Sequence, residues 1–300
     1  MTNLHYSVLL NESIESLHID KNGIYIDLTL GMGGHSEAIL KQLENGHLYA
    51  FDKDDYAIKI ASVRLKKVSN NFTIIKSDFK DIKSRLLDLG VYSVDGIIAD
   101  LGVSSPQIDQ GHRGFSYNKD AILDMRMNQD QQLTAYKVVN EYSESDLAQL
   151  LYKYADVKLA SRVAKAIIAS RPIETTLKLV DVIKSTYPAA LLRAKNPAKP
   201  VFQAIRIEVN DEINSLKTML KDAIDLLKIN ASLVIITFHS IEDKVVKEHF
   251  NQLCKSKLPS KLPIQEPKAF IQKQILPTQA EIQINRRSKS AKLRKLTKLI

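Results

Sequence analysis

The 300-residue chain has an ordinary apolar content of 44% and a formal net charge of +9, and its length suits one large domain or two unequal ones. The surplus of Lys and Arg favours a polyanionic partner, either nucleic acid or an acidic membrane surface. The single cysteine, Cys254, excludes an intrachain disulfide and any multi-cysteine zinc site and fits a reducing, cytosolic setting. The start, Met-Thr-Asn-Leu-His-Tyr-Ser-Val-Leu-Leu, lacks the basic and long apolar regions of a signal peptide. The longest apolar run, Leu233-Val-Ile-Ile-Thr-Phe238, is too short to span a bilayer. The expectation is a soluble, cytoplasmic protein with neither a membrane partner nor a metal.

In chain order, the first informative stretch is Tyr25-Ile-Asp-Leu-Thr-Leu-Gly31-Met-Gly33-Gly34-His35-Ser36. An apolar run passes into a glycine cluster and then a helical pattern, which reads as strand, tight turn and helix N-terminus. Glycine tolerates positive φ and lacks a Cβ, so such a turn brings backbone N–H groups close to a nucleotide-like ligand. Leu48-Tyr-Ala-Phe-Asp52 then places a carboxylate after a second strand, roughly 20 residues on, where such folds hold a ribose. Strands near 24–28, 47–51, 72–76 and 94–99 alternate with helices near 35–44, 54–68 and 80–89, a parallel, doubly wound α/β half. After the fourth strand, Asp100-Leu-Gly-Val-Ser-Ser-Pro-Gln107 repeats the strand-to-turn switch. Its carboxylate can bond a cofactor amine, and Ser104, Ser105 and Gln107 can face a substrate.

Residues 110–200 break this rhythm. No convincing strand occurs, a helix-like run extends from about Glu144 to Ala169, and Pro172, Pro188, Pro197 and Pro200 interrupt the stretch after it. Phe202, Ile205, Val209, Ile213, Leu216, Leu220, Ile224 and Leu227 recur at three- and four-residue steps and predict one long amphipathic helix, after which 233–238 resumes the sheet. The expected organisation is a discontinuous sheet domain, 1–108 and 201–300, with a helical domain inserted at 109–200. From Lys158 to Lys199 there are nine basic residues, Lys158, Arg162, Lys165, Arg171, Lys178, Lys184, Arg193, Lys195 and Lys199, against Glu174 and Asp181. They make either a solvated helical face or a phosphate-contacting one. The basic segment Asn285–Ile300 carries Ala291, Leu293, Leu296 and Leu299, an apolar face that suits an edge strand or docked terminus with its arginines available to phosphate.

Taken together, several blocks resemble the family of ribosomal RNA small-subunit methyltransferase H. They are His5-Tyr-Ser-Val-Leu-Leu, Gly31-Met-Gly-Gly-His-Ser36, Asp100-Leu-Gly-Val-Ser-Ser-Pro-Gln107, Arg113-Gly-Phe-Ser116, Leu123-Asp-Met-Arg-Met127, Phe202-Gln-Ala-Ile-Arg206, Phe238-His-Ser-Ile-Glu-Asp243 and Arg287-Ser-Lys-Ser-Ala-Lys-Leu-Arg294. Each is weak alone, while their order and spacing along nearly the whole chain are specific.

The resemblance implies a Rossmann-like class I methyltransferase fold that uses S-adenosylmethionine to N4-methylate a cytidine in the decoding region of 16S ribosomal RNA. The RNA would be held within an assembled or late-assembling 30S subunit. It also implies that Gly33, Gly34 and His35 line the methionine and ribose side of the cofactor, that Asp52 accepts from the ribose, that Phe79 lies at the adenine, and that Asp100 and Gln107 complete the pocket. The proton acceptor is left open, with His239 in Phe-His-Ser as a further lining candidate. The chain departs from the family pattern at Lys228-Ile-Asn-Ala-Ser232, which lacks the usual proline and paired glycines and in which Asn230 could supply a left-handed position, and at Arg286 and Lys289 in the last block.

Two other readings stand beside this one. A nicotinamide-dependent dehydrogenase shares the Gly31-x-Gly33 and Asp52 pattern, but Ser36 occupies the third glycine's place; Tyr154 and Lys158 have dehydrogenase spacing and are equally an ordinary helical pair. A non-catalytic ribosome-assembly factor would use the basic insertion to bind RNA.

Overall fold

A computed structural model describes residues 7–155, 157, 159–194, 196–255 and 267–300. The chain divides into two compact units, Met1–Gly102 with Ile213–Ile300, and Val103–Glu212. The sequence pattern places these junctions at 108/109 and 200/201.

The first unit is a seven-stranded sheet. Its strands are β1 (Ile24–Asp27), β2 (His47–Asp52), β3 (Phe72–Lys76), β4 (Val94–Asp100), β5 (Leu227–Thr237), β6 (Phe270–Ile275) and β7 (Lys292–Lys298), in the order β3-β2-β1-β4-β5-β7-β6. The first five are parallel, and β7 runs antiparallel to both β5 and β6. This is the expected class I methyltransferase arrangement. The strand order reverses between β1 and β4, and the crevice outside the carboxyl ends of such strands is where α/β sheets bind ligands.

Strands covered on both faces read as continuous apolar runs, and two buried clusters confirm that covering. One contains Ile26, Phe51, Ile97 and Ile235 with Leu86 and Leu220 from helices Ile82–Asp88 and Glu212–Leu226. The other contains Tyr25, Leu48, Ile98 and Val234 with Leu17, Ile39 and Ala61 from helices Leu10–Leu17, Gly34–Leu40 and Asp55–Leu65. In β5 the register to β4 shifts between Val94 and Gly96, which loops out Lys228–Asn230; Asn230 takes the left-handed conformation expected of it, at φ +67°.

Three sequence expectations are corrected by the fold. The long helix of 202–227 is two, Ala198–Val209 and Glu212–Leu226. Asp211 sits at φ +49° between them, and the apolar spacing runs through the break because both helices keep the same burial period. The run 144–169 is likewise two helices, Glu144–Ala155 and Ala160–Ala169. The C-terminal strand is not at an edge: β7 lies between β5 and β6. Its apolar residues do not share a face, since Ala291 and Leu293 join one cluster and Leu296 the other, as strand alternation requires.

The second unit is helical, and among its described residues the one bridge outside helices pairs Ile122 with Thr175. The motif blocks of this unit fold onto one another. Met125, at φ +58°, donates its N–H to the Arg113 carbonyl, and buried Arg113 donates to the carbonyls of Arg126 and Met127. Asn210 accepts from the Met127 N–H and donates to the Met125 carbonyl at 2.8 Å each. Arg162, Lys165, Lys178, Lys184, Arg193 and Lys199 are exposed. Arg171 instead spends its guanidinium on the carbonyls of Val139 and Tyr142. Lys158 and Lys195 lie outside the described residues, as do His5 and Tyr6 of the first motif block.

Candidate active site

The glycine turn follows β1 and is held from three sides. Gly31, at φ +49°, donates its N–H to Asp52 Oδ2 at 2.8 Å, while Asp52 Oδ1 accepts from the Asp54 N–H at 2.9 Å. Leu30 donates to the Phe51 carbonyl, and Asp100 donates its N–H to Thr29 Oγ1 at 2.6 Å. Gly33 caps helix Gly34–Leu40 at φ +77°, and a Cβ there would sit 3.2 Å from that of Ala61. A Cβ on Gly34 would collide with Ser7 Oγ. Glycine at 33 is thus favoured by its left-handed backbone, and the helix packed behind it leaves little room for a side chain.

Carboxylates converge at the ends of β1, β4 and β5. Asp27 is buried, accepting from Ser36 Oγ–H at 2.6 Å and from the Thr29 N–H at 3.0 Å. His35 is buried, with Nε2 3.1 Å from the Val8 carbonyl and Nδ1 3.9 Å from Asp100 Oδ2. Since a carbonyl can only accept, Nε2 carries a hydrogen and the other ring nitrogen faces Asp100. Asp100 Oδ1 is buried with no hydrogen-bond partner among the described residues. Glu242 is buried, its Oε2 accepting from the Phe238 N–H at 2.9 Å.

Burial pushes the Asp100 carboxyl well above the usual range, and the charges of Asp27 and Glu242 add to the effect. Burial also raises Asp27, outweighing the opposing influence of His35 and the bonds from Ser36 and Thr29. It lifts Asp52 to about 6 against the N–H bonds from Asp54 and Gly31. An acidic pocket in a basic protein suits a cationic ligand, and an orphaned acceptor suits an amine. S-adenosylmethionine carries both a sulfonium and an amine, so Asp100, Asp52 and the turn fit that cofactor.

Phe79 opens a short 3₁₀ turn, Phe79–Asp81, after β3 and packs half-buried against the core. An ion pair beside it, Lys53 Nζ to Asp78 Oδ2 at 2.8 Å, fixes that turn. Of the predicted residues, Gly33, Gly34, His35, Asp52, Phe79 and Asp100 belong to the sheet unit, at the carboxyl ends of its strands. Gln107 belongs to the helical unit, where its Oε1 accepts from the Ser104 N–H in a capping box. His239 caps helix Ser240–Cys254, its Nδ1 accepting from the Glu242 N–H.

Sequence reasoning missed Asp27, Glu242 and the Lys53–Asp78 pair. A carboxylate closing an otherwise apolar strand was the available signal for Asp27; Glu242 stands three residues after a cap position, the spacing of a capping box.

The chain matches a model described as the MraW methylase family over residues 2–299. It is 60% identical over 299 residues to the ribosomal RNA small subunit methyltransferase H of Mycoplasmopsis synoviae, covering 100% of this chain and 99% of that protein. To the protein of the same name from Streptococcus mutans it is 48% identical, covering 98% of each chain. Among solved structures, an rRNA methylase from Streptococcus thermophilus aligns with a TM-score of 0.46 at 14% identity, over 99% of each chain.

Proposed function

The chain belongs to the MraW methylase family, and on that premise we propose that it transfers a methyl group from S-adenosylmethionine to the N4 amine of a cytidine in the decoding region of small-subunit ribosomal RNA. The observation that carries this reading is the buried, unpartnered Oδ1 of Asp100 beside the glycine turn at the strand-order reversal. Family membership leaves no place for the dehydrogenase alternative, whose missing third glycine is Ser36, here bonded to Asp27.

Bound S-adenosylmethionine supplies an electrophilic sulfonium methyl for in-line displacement. Asp52 would accept from its ribose hydroxyls, Phe79 would offer a flat apolar surface to its adenine, and Gly33, Gly34 and His35 would line its methionine side. A cytidine amine is a poor nucleophile because its lone pair is delocalised into the ring, so orientation supplies most of the rate. Asp100 orients the amine by accepting an N–H, and a carboxylate whose proton affinity is raised by burial is the stronger acceptor. The target base leaves its stack to reach the methyl group. The substrate RNA is read as part of an assembled or late-assembling 30S subunit, in the cytoplasm and without a metal.

Labelled-methyl incorporation into unmethylated small subunits, followed by nucleoside analysis, tests the proposal. The expected product is N4-methylcytidine at one decoding-region position. Absence of incorporation into every assembly state would favour an RNA-binding assembly factor instead.

A further inference from the structure

Residues 267–300 contain nine Lys or Arg and one carboxylate, Glu281. Two carboxylates that meet this segment or belong to it, Asp243 and Glu281, are already engaged. Glu281 accepts from the Leu9 N–H, and Asp243 holds Lys292 at 2.8 Å and Arg294 at 2.7 Å. Lys298 Nζ donates to the Leu227 carbonyl.

Alternation along β7 puts Lys292 and Arg294 on the face covered by helix Ser240–Cys254, and Leu293, Lys295 and Thr297 on the other. Within β6, Gln272 reaches Asn251 of that same helix, which places Lys273 on the opposite face. The register sets Lys273 directly across from Lys295, so the two ammonium groups share a face that Asp243 does not reach. Among the described residues neither lysine has an ion pair. Lys273 is exposed and Lys295 half-buried. Burial, and then the charge of Lys273, lowers Lys295 from its ordinary value.

Like charges directly opposed in an antiparallel pair destabilise it, and among the described residues no carboxylate pairs with either lysine. We propose that Lys273 and Lys295 together take a backbone phosphate of the RNA substrate, making the β6–β7 ribbon an RNA contact separate from the cofactor turn. This rests on the proposed function for the identity of the polyanion. A phosphate seated between the two ammonium groups removes their repulsion, and it is the sequence-independent kind of contact that fixes a protein's register on nucleic acid.

The test is binding of the full chain to unmethylated small subunits across a salt series, with Lys273→Gln, Lys295→Gln, the double variant and Lys273→Glu. Each lysine lost should flatten the slope of log affinity against log salt by about 0.7–0.9. Lys273→Glu should weaken RNA binding further while raising the melting temperature, because it converts a cross-strand repulsion into an ion pair. A residue kept for folding would move both readouts the same way. An unchanged salt slope in the double variant overturns the contact while leaving the methyltransferase reading intact. A wild-type chain that binds no RNA at any salt overturns both.

Discussion

The Gly31 N–H donates to Asp52 Oδ2 at 2.8 Å, so the first glycine of the turn and the carboxylate that closes the second strand form one unit. The glycine turn is thereby shaped by the residue proposed to hold the ribose.

Cofactor affinity should therefore depend on pH. Asp52 ionises at about 6 in the folded protein, and its ionised form is the acceptor. Binding of S-adenosylhomocysteine should be full above that value and fall about tenfold per pH unit below it. Asp52→Asn should weaken binding by about 10- to 100-fold and flatten the profile. Because the folded value lies above the unfolded one, this group's contribution to stability is present at low pH and is lost as pH rises from about 4 to about 6. Calorimetric titration of both proteins across that range decides the matter; a flat wild-type profile counts against the assignment.

Replacing Asp100 by Asn puts an amide donor where an acceptor is needed. Single-turnover methyl transfer should drop by about 100-fold or more, accompanied by weaker cofactor binding, while circular dichroism stays native. Near-normal turnover and affinity would remove Asp100 from the site.

Gly33→Ala forces a Cβ onto a left-handed residue 3.2 Å from the Ala61 side chain. The backbone alone should cost about 1–2 kcal/mol, visible as a lower urea midpoint, and the shifted turn should loosen the cofactor. Pairing it with Ala61→Gly should recover only the steric part.

Asp243 is the counterion of buried Arg294. Asp243→Asn leaves that charge uncompensated and should cost about 3 kcal/mol or more. Burial pushes the Asp243 carboxyl up, but the bonds from Arg294 and Lys292 outweigh it, so the net direction is down. Its contribution is thus present above the unfolded value near 4 and is lost as pH falls through the lower folded one. Thermal melts of wild type and variant should converge in acid; parallel curves at every pH would contradict this.

What was legible in the sequence followed a local rule. Strands β1, β2 and β4 and the second half of β5 are largely buried and read as apolar runs, and Gly31 and Gly33 take the positive φ that marks the first turn. By contrast, β6 (Phe270–Ile275) is mostly polar and exposed and gave no such signal. Arg294 read as available to phosphate because its partner Asp243 lies 51 residues away.

The sequence by itself determined the glycine turn after β1, the strand that ends at Asp52 and the family, since spacing within a strand–turn–helix unit is set by short-range backbone geometry. Only the tertiary structure decided that β7 would insert between β5 and β6, that burial, with Asp27 and Glu242 beside it, would raise the proton affinity of Asp100, and that Lys273 would face Lys295. Each of these depends on which strand hydrogen-bonds to which, and on a desolvation that exists only once distant segments have closed over the same site.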